Sequence, residues 1–390
     1  MDARRIAIAL EIDQPYPQHQ EVFAGVQRYA RSMKGWRCLI DEHPMLQACQ
    51  RGPEYGRYDG VIARAKPGMQ RRLKRHGVPL VNVLYQTASK GTHGVYPDAA
   101  ELGQAAADHL LERGFRTLCY MGDINRHRHS GQVASAFRRR AESEGAGCTV
   151  VEVIDLPYID ASAWIKKEHL LQRWVEQVVP PAGLFMEEAP IARLMVERCQ
   201  QFGLDVPRDI AVISQHNLRS VVNVEPQISS IEIDNERAGY EAARLLDRLM
   251  SGKAVAASPI LIPPKGVVGR ESTDYFAVRD ALVADALRYI AAHLCEPIKV
   301  EDIAYHLAVS SRTLQGRFDA ALGVGVSQEV RRLRLGKAKR LLTDPSYSIA
   351  EVAKESGFAR PQLFCAVFRR EVGTTPTAFR KQAVGELDTE

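Results

Sequence analysis

Two architectures follow one another in this chain of 390 residues. The sequence predicts a two-lobed α/β region of doubly wound parallel sheets, then an all-α region of two helix-turn-helix units. Three observations carry this. Short runs rich in Val, Ile and Leu alternate with helix-spaced segments up to about residue 270 and then stop. The strand-like runs are too many for one sheet of this type, so two lobes with a cleft between their strand ends fit better. Beyond Ala281 only helical patterns remain, and they repeat.

The strand-like runs are RIAIALEI, RCLIDEH, DGVIARA, PLVNVLY, TLCYMGD, TVVEVIDL, AGLFMEE, DIAVISQ, SSIEIDN and SPILIPPKGVV. Between them, HQEVFAGVQRYARSM places Val22, Val26 and Tyr29 on one helical face. AAELGQAAADHLLERG, APIARLMVERCQQFG and NERAGYEAARLLDRLMSG are also helix-spaced, and several such segments stop at Gly. The break near ESTDYFAVRD divides the chain into an α/β region over 1–273, a linker over 274–283, a helical domain over 284–384 and a frayed tail over 385–390.

The helical region is self-similar. SRTLQGRFDAALG (from Ser311) aligns with PQLFCAVFRREVG (from Pro361): Leu314 matches Phe364, Phe318 matches Phe368, Leu322 matches Val372 and Gly323 matches Gly373. Upstream, Ile303-Ala304 is matched to Ile349-Ala350, and the second turn is expected to be a few residues longer. Helix, turn and helix ending at Gly, twice over, is a paired helix-turn-helix. The joining segment RRLRLGKAKR is expected to turn Leu333, Leu335, Ala338, Leu341 and Leu342 inward, with Arg331, Arg332, Arg334, Lys337, Lys339 and Arg340 largely toward solvent. Basic residues outnumber acidic ones 16 to 10 over 281–382, although the whole chain carries only +5. Positive charge is thus concentrated where a phosphate backbone would need it.

Composition bounds the rest. With 45% hydrophobic and 25% charged residues the chain reads as a globular protein. Seven cysteines without a CxxC read as free thiols in a reducing cytoplasm. No signal peptide or membrane span is expected. HRH at 127–129 reads as an exposed loop, and no nucleophile–base constellation, phosphate loop or metal motif is present, so no catalytic residue, cofactor or metal is assigned.

The second repeat, with Ile349-Ala350, Gly357-Phe358, Phe364, Phe368-Arg369-Arg370, Gly373, Pro376 and Phe379-Arg380, resembles the AraC/XylS-type DNA-binding domain. The resemblance implies that each recognition helix enters the major groove, in successive turns ~34 Å apart on one side of the duplex. The implied DNA-binding residues are Ser310, Ser311, Arg312, Gln315 and Arg317 in the first unit, Arg360, Pro361, Gln362 and Arg369 in the second, and Lys337 on the joining helix. Arg pairs with guanine and Gln with adenine through two hydrogen bonds. Many relatives carry a base-reading Arg later on each helix; Gly316 and Ala366 stand there in this sequence.

DGVIA, PDAAELGQAAADHLLERGFRTLCYMG, LDVPRDIAVIS, PQISSIEIDNERAGYEAARLL and VVGREST make residues 4–273 similar to the LacI/GalR-type sugar-sensor core, itself similar to periplasmic binding proteins. A sensor of that kind joined to a C-terminal AraC-type domain resembles the XylR-type regulators. This implies a cytoplasmic, sugar-responsive transcription regulator, an activator acting on promoter DNA with RNA polymerase, as a homodimer. The effector residues expected in the cleft are Tyr16, Arg64, Asn82, Arg128, Glu188, Gln215, His216 and Asn217. Family members usually have Arg, Asp and Asp where Val133, Ala189 and His216 stand here. The effector, the operator and activation against repression stay open. So do two other readings: a small-molecule-modifying enzyme fused to a DNA-binding domain, and a regulator whose sensor has lost its ligand.

Overall fold

The computed structural model describes residues 4–13, 17–33, 35–44, 58–66, 68–84, 93–125, 128–153, 161–256, 258–278, 280–342 and 347–385. The chain forms two compact units: 1–104 with 123–137 and 232–265, and 105–122 with 138–231 and 266–390. No described helix is long and apolar enough to cross a membrane.

The strands, in chain order, are β1 (Arg4–Ala9), β2 (Trp36–Ile40), β3 (Gly60–Ala63), β4 (Leu80–Val83), β5 (His93–Pro97), β6 (Thr117–Gly122), β7 (Gly147–Glu152), β8 (Ala182–Met186), β9 (Ile210–Ser214), β10 (Ser229–Glu232), β11 (Ile260–Ile262) and β12 (Gly266–Val268). The first unit holds a six-stranded sheet ordered β11-β5-β4-β3-β1-β2, with parallel pairing throughout. Both sides of its central strands are covered, which is why β3 and β4 are wholly buried without alternation, with Asn82 their one polar side chain. The second unit holds another six-stranded sheet, ordered β12-β10-β9-β8-β6-β7. The two doubly wound sheets expected from the alternating pattern are therefore present.

Two strand assignments change. HGVYP forms β5, which its Gly and Pro conceal from a propensity reading. Gly94 is required there because the Tyr96 hydroxyl lies 2.0 Å from where its Cβ would stand. SPILIPPKGVV is not one strand: it supplies β11 to the first sheet and β12 to the second, and Pro263-Pro264 ends the first run.

Helices α1 (Pro17–Ser32), α2 (Met69–Arg75), α3 (Ala99–Glu112), α4 (Arg128–Ser143), α5 (Ala161–Gln177), α6 (Ala189–Gln201), α7 (Arg219–Val222) and α8 (Asn235–Met250) complete the α/β region. In the first unit α1 buries His19, Val22, Gly25, Val26 and Tyr29, the face expected from its spacing, against α8. Asp247 of α8 takes an ion pair from Arg4 at 2.6 Å and a hydrogen bond from the Tyr29 hydroxyl at 3.3 Å.

In the second unit the helical domain comprises α9 (Ala281–Ala292), α10 (Val300–His306), α11 (Ser311–Leu322), α12 (Val326–Leu342), α13 (Ile349–Glu355), α14 (Pro361–Val372) and α15 (Pro376–Gly385). It has two cores. Val283, Leu287, Ile303, Leu314, Phe318, Val326, Val330 and Leu333 make one; Leu335, Ala338, Leu342, Val352, Phe358, Phe364 and Phe368 make the other. The joining helix α12 serves both, turning Leu333 to the first and Leu335 to the second.

Candidate nucleic-acid interface and effector site

The repeat is clearest at the turns. Helices α10 and α13 correspond at an offset that places Ile303-Ala304 on Val352-Ala353, all buried, rather than on Ile349-Ala350. Ala308 and Gly357 occupy the same turn position, both with positive φ (55° and 78°). The second connection is then only one residue longer, 356–360 against 307–310. Ser348 caps α13 reciprocally with Glu351 (Ser348 N–H to Glu351 Oε2 2.7 Å, Glu351 N–H to Ser348 Oγ 3.1 Å).

Each second helix buries two residues one turn apart, Leu314 with Phe318 and Phe364 with Phe368. Phe364 and Phe368 sit at 5.4 Å between ring centroids, and Phe368 meets Phe379 at 5.5 Å. The opposite faces are open. Arg312 and Gln315 on α11, and Arg360, Pro361, Gln362 and Arg369 at or on α14, are exposed; Ser311 is half-exposed. Gly316 and Ala366 lie on these same exposed faces, outward-facing with little or no side chain.

Three expected contacts have other engagements. The Ser310 hydroxyl caps α11 by accepting from Thr313 N–H at 3.0 Å. Arg317 is ion-paired to Asp280, whose carboxylate also caps α9. Lys337 is half-buried with Nζ 2.8 Å from Cys295 Sγ. The joining helix is also less solvated than its charge run suggests, because Arg334 donates to the carbonyls of Leu294 (3.1 Å) and Glu296 (2.5 Å). One outward residue escaped the sequence reading. Leu363 lies between Gln362 and the core residue Phe364 and is 53% exposed; only the register of α14 reveals it.

The effector candidates fall on both units. In the first, Asn82 at the end of β4 is fully buried, accepting from Ala65 N–H at 2.7 Å and donating to the Tyr96 hydroxyl at 3.0 Å. Arg64 follows β3, is exposed, and lies 3.9 Å from Glu11. Arg128 is exposed at the start of α4, and Tyr16 and His127 lie outside the described residues. Sequence reasoning passed over His19, which accepts from Glu11 N–H at 3.0 Å; burial, then the Arg64 charge, lowers its pKa.

In the second unit the candidates gather at the carboxyl ends of β8 and β9. Glu188 precedes α6 and is half-buried; its neighbour Glu187 is buried and accepts from the Tyr120 hydroxyl at 3.2 Å. Gln215 is 1% exposed, and its Oε1 has no hydrogen-bond partner among the described residues. Burial pushes the His216 imidazole down to about 4, so it is neutral at pH 7. Asn217 is exposed and accepts from Arg270 at 2.6 Å, an orienting contact the sequence did not indicate. Val133 and Ala189 are fully buried in their own units and present no polar group. Among the described residues no cluster of His, Cys, Asp or Glu is arranged to hold a metal.

Comparison with known proteins places these features. Residues 107–273 match the periplasmic binding protein-like domain family, and residues 303–382 match a helix-turn-helix domain family. The xylose operon regulatory protein of Haemophilus influenzae is 30% identical over 330 residues, spanning 83% of this chain and 84% of the relative. The chain belongs to the XylR-type regulators of the AraC/XylS family. The corresponding Escherichia coli xylose operon regulatory protein is 27% identical over 387 residues, 96% of each chain. The solved structure of the xylose-binding transcription activator xylR aligns with a TM-score of 0.60 at 26% identity over 98% of both chains. A cellobiose complex of the regulator CelR shares the fold of the α/β region, with a TM-score of 0.56 at 18% identity over 70% of this chain and 85% of that one. As a XylR-type regulator the chain is a DNA-binding transcription regulator, and its relatives are regulators rather than enzymes.

Proposed function

We propose that the chain controls a sugar-catabolic type of operon in response to a small sugar or sugar-like effector, held by polar groups at the carboxyl ends of the sheet strands. The observation that carries the effector reading is Gln215. A buried amide oxygen left without a donor costs roughly 1–3 kcal/mol, and a ligand hydroxyl would relieve it. Ligands of doubly wound folds sit outside the carboxyl ends of the strands, where Gln215 lies. Neutral His216 and the amide of Asn217 beside it suit a hydroxyl-rich ligand. With Val133 and Ala189 buried and apolar, the contacts that relatives draw from those positions come from other groups here, so the preferred sugar differs from that of a site with Arg and Asp there.

Arg312, Gln315, Arg360 and Gln362 read base edges, and Leu363 meets a thymine methyl. Ser311, Pro361 and Arg369 lie along the phosphates, and Lys337 joins them by releasing Cys295 Sγ. The protein acts as a cytoplasmic homodimer on promoter DNA, activates with RNA polymerase, and catalyses no reaction.

A thermal-shift screen of the full chain against pentoses, hexoses, polyols and sugar acids tests the effector reading. The expected result is stabilisation by one neutral sugar class that Gln215→Ala abolishes. Stabilisation by a sugar that is unchanged in Gln215→Ala overturns the role of Gln215, and no shift with any of them overturns the effector class.

A further inference from the structure

The segment between sensor and DNA-binding domain is built as a joint. Phe276 is 4% exposed and belongs to the core of the helical domain, packed in one cluster with Val283, Leu287, Phe318 and Val326. Its chain neighbour is fastened in the opposite direction. The Ala277 N–H donates to the carbonyl of Arg113, just past the end of sensor helix α3, at 2.7 Å. The Arg113 side chain reaches back, donating through Nε to the carbonyl of Thr273 at 2.8 Å, and its guanidinium lies 6.0 Å from the centroid of the Phe276 ring. Thr273 is itself fully buried and hydrogen-bonded to His109 at 2.7 Å and to Ser229 at 2.6 Å. A segment whose residues are divided between two cores does not behave as a free tether.

A polar clasp lies beside this strap. Glu329 in the first turn of α12 is only 5% exposed, and Arg332 holds it with two hydrogen bonds of 2.7 and 2.8 Å. The same guanidinium donates to the backbone carbonyl of Glu112 on the sensor at 3.3 Å. Together these groups line a cleft of about 620 Å³ with Glu144 and Lys339. The Glu329 carboxylate holds Arg332 above its ordinary pKa, with the charges of Glu112 and Glu144 acting in the same direction. A buried carboxylate requires its cation, so Arg332 is fixed by Glu329 and cannot swing away from the sensor without exposing it.

We infer that the second sensor lobe and the DNA-binding domain move as one body, joined through Phe276 and Arg113 and clasped by Arg332 against Glu112. Any displacement of that lobe then carries both recognition helices with it, and the linker is the transmitting element rather than a spacer.

Hydrogen–deuterium exchange on the full-length protein tests this without requiring the effector. The peptide spanning 274–278 is expected to exchange at least about 100-fold more slowly than an unstructured chain. Arg332→Glu should speed its exchange at least about tenfold while the peptide spanning 361–372 keeps its protection. Phe276→Leu, which keeps an apolar plug, should stay close to wild type, whereas Phe276→Ala should loosen the linker. Exchange of 274–278 at the unstructured rate in the wild-type protein overturns the joint. Wild-type protection in Arg332→Glu overturns the clasp.

Discussion

Gly25 of α1 and Gly239 of α8 pack reciprocally. A Cβ on Gly25 would stand 1.9 Å from the Glu236 carbonyl oxygen, and a Cβ on Gly239 would stand 1.9 Å from the Val22 carbonyl oxygen. Each helix thus approaches the other's backbone at a residue that has no side chain. Overpacking of this kind costs about 1–3 kcal/mol or more. Gly25→Ala and Gly239→Ala are each expected to lower the urea midpoint accordingly. Gly147→Ala, whose nearest neighbour would be the Arg116 carbonyl at 3.9 Å, should stay within about 0.5 kcal/mol.

The two turns give an asymmetric pair. Ala308 holds a left-handed conformation that disfavours side chains, so Ala308→Gly should stabilise the first helix-turn-helix by up to about 1 kcal/mol. Gly357→Ala should cost more than that, because its Cβ would also stand 2.1 Å from the Leu294 carbonyl. Thermal unfolding of the two variants should shift in opposite directions.

On DNA, Arg312→Ala and Gln362→Ala should each change sequence preference by about 1–3 kcal/mol at one base pair. Leu363→Ala should weaken preference at a thymine. Lys337→Ala should weaken all sequences alike and reduce the salt slope by about one. Binding measured on a panel of single-base variants at several salt concentrations separates these outcomes. A Lys337 variant that alters preference at only one base pair would show that it is not a phosphate contact.

His216 makes stability depend on pH. Its folded pKa of about 4 lies below the ordinary value of 6.5, so the unfolded chain binds the proton more readily. Stability from this group is fully present above about pH 6.5 and is lost as the pH falls toward 4, with a slope of at most about 1.4 kcal/mol per pH unit. His19, also lowered, acts in the same sense. His216→Gln should flatten the dependence of the urea midpoint between pH 6.5 and 4. An unchanged slope would show that another group carries it.

The sequence by itself determined the two architectures, the doubled helix-turn-helix and the face that α1 buries, because each is written in local periodicity. Val22, Val26 and Tyr29 recur at helical spacing, and Phe364 and Phe368 lie one turn apart, whatever surrounds them. The candidate reading positions came from the resemblance to the AraC/XylS-type domain, and Leu363 was not among them. Only the tertiary structure decided where polar groups spend their hydrogen bonds. Ser310 reads as a base contact until its hydroxyl is seen to cap α11, and Arg334 as a solvated cation until it meets two carbonyls 40 and 38 residues away. Strand β5, the split of β11 from β12 and the unpartnered oxygen of Gln215 were hidden for the same reason. Pairing and desolvation depend on neighbours distant in sequence, whereas periodicity depends only on the residues of one element.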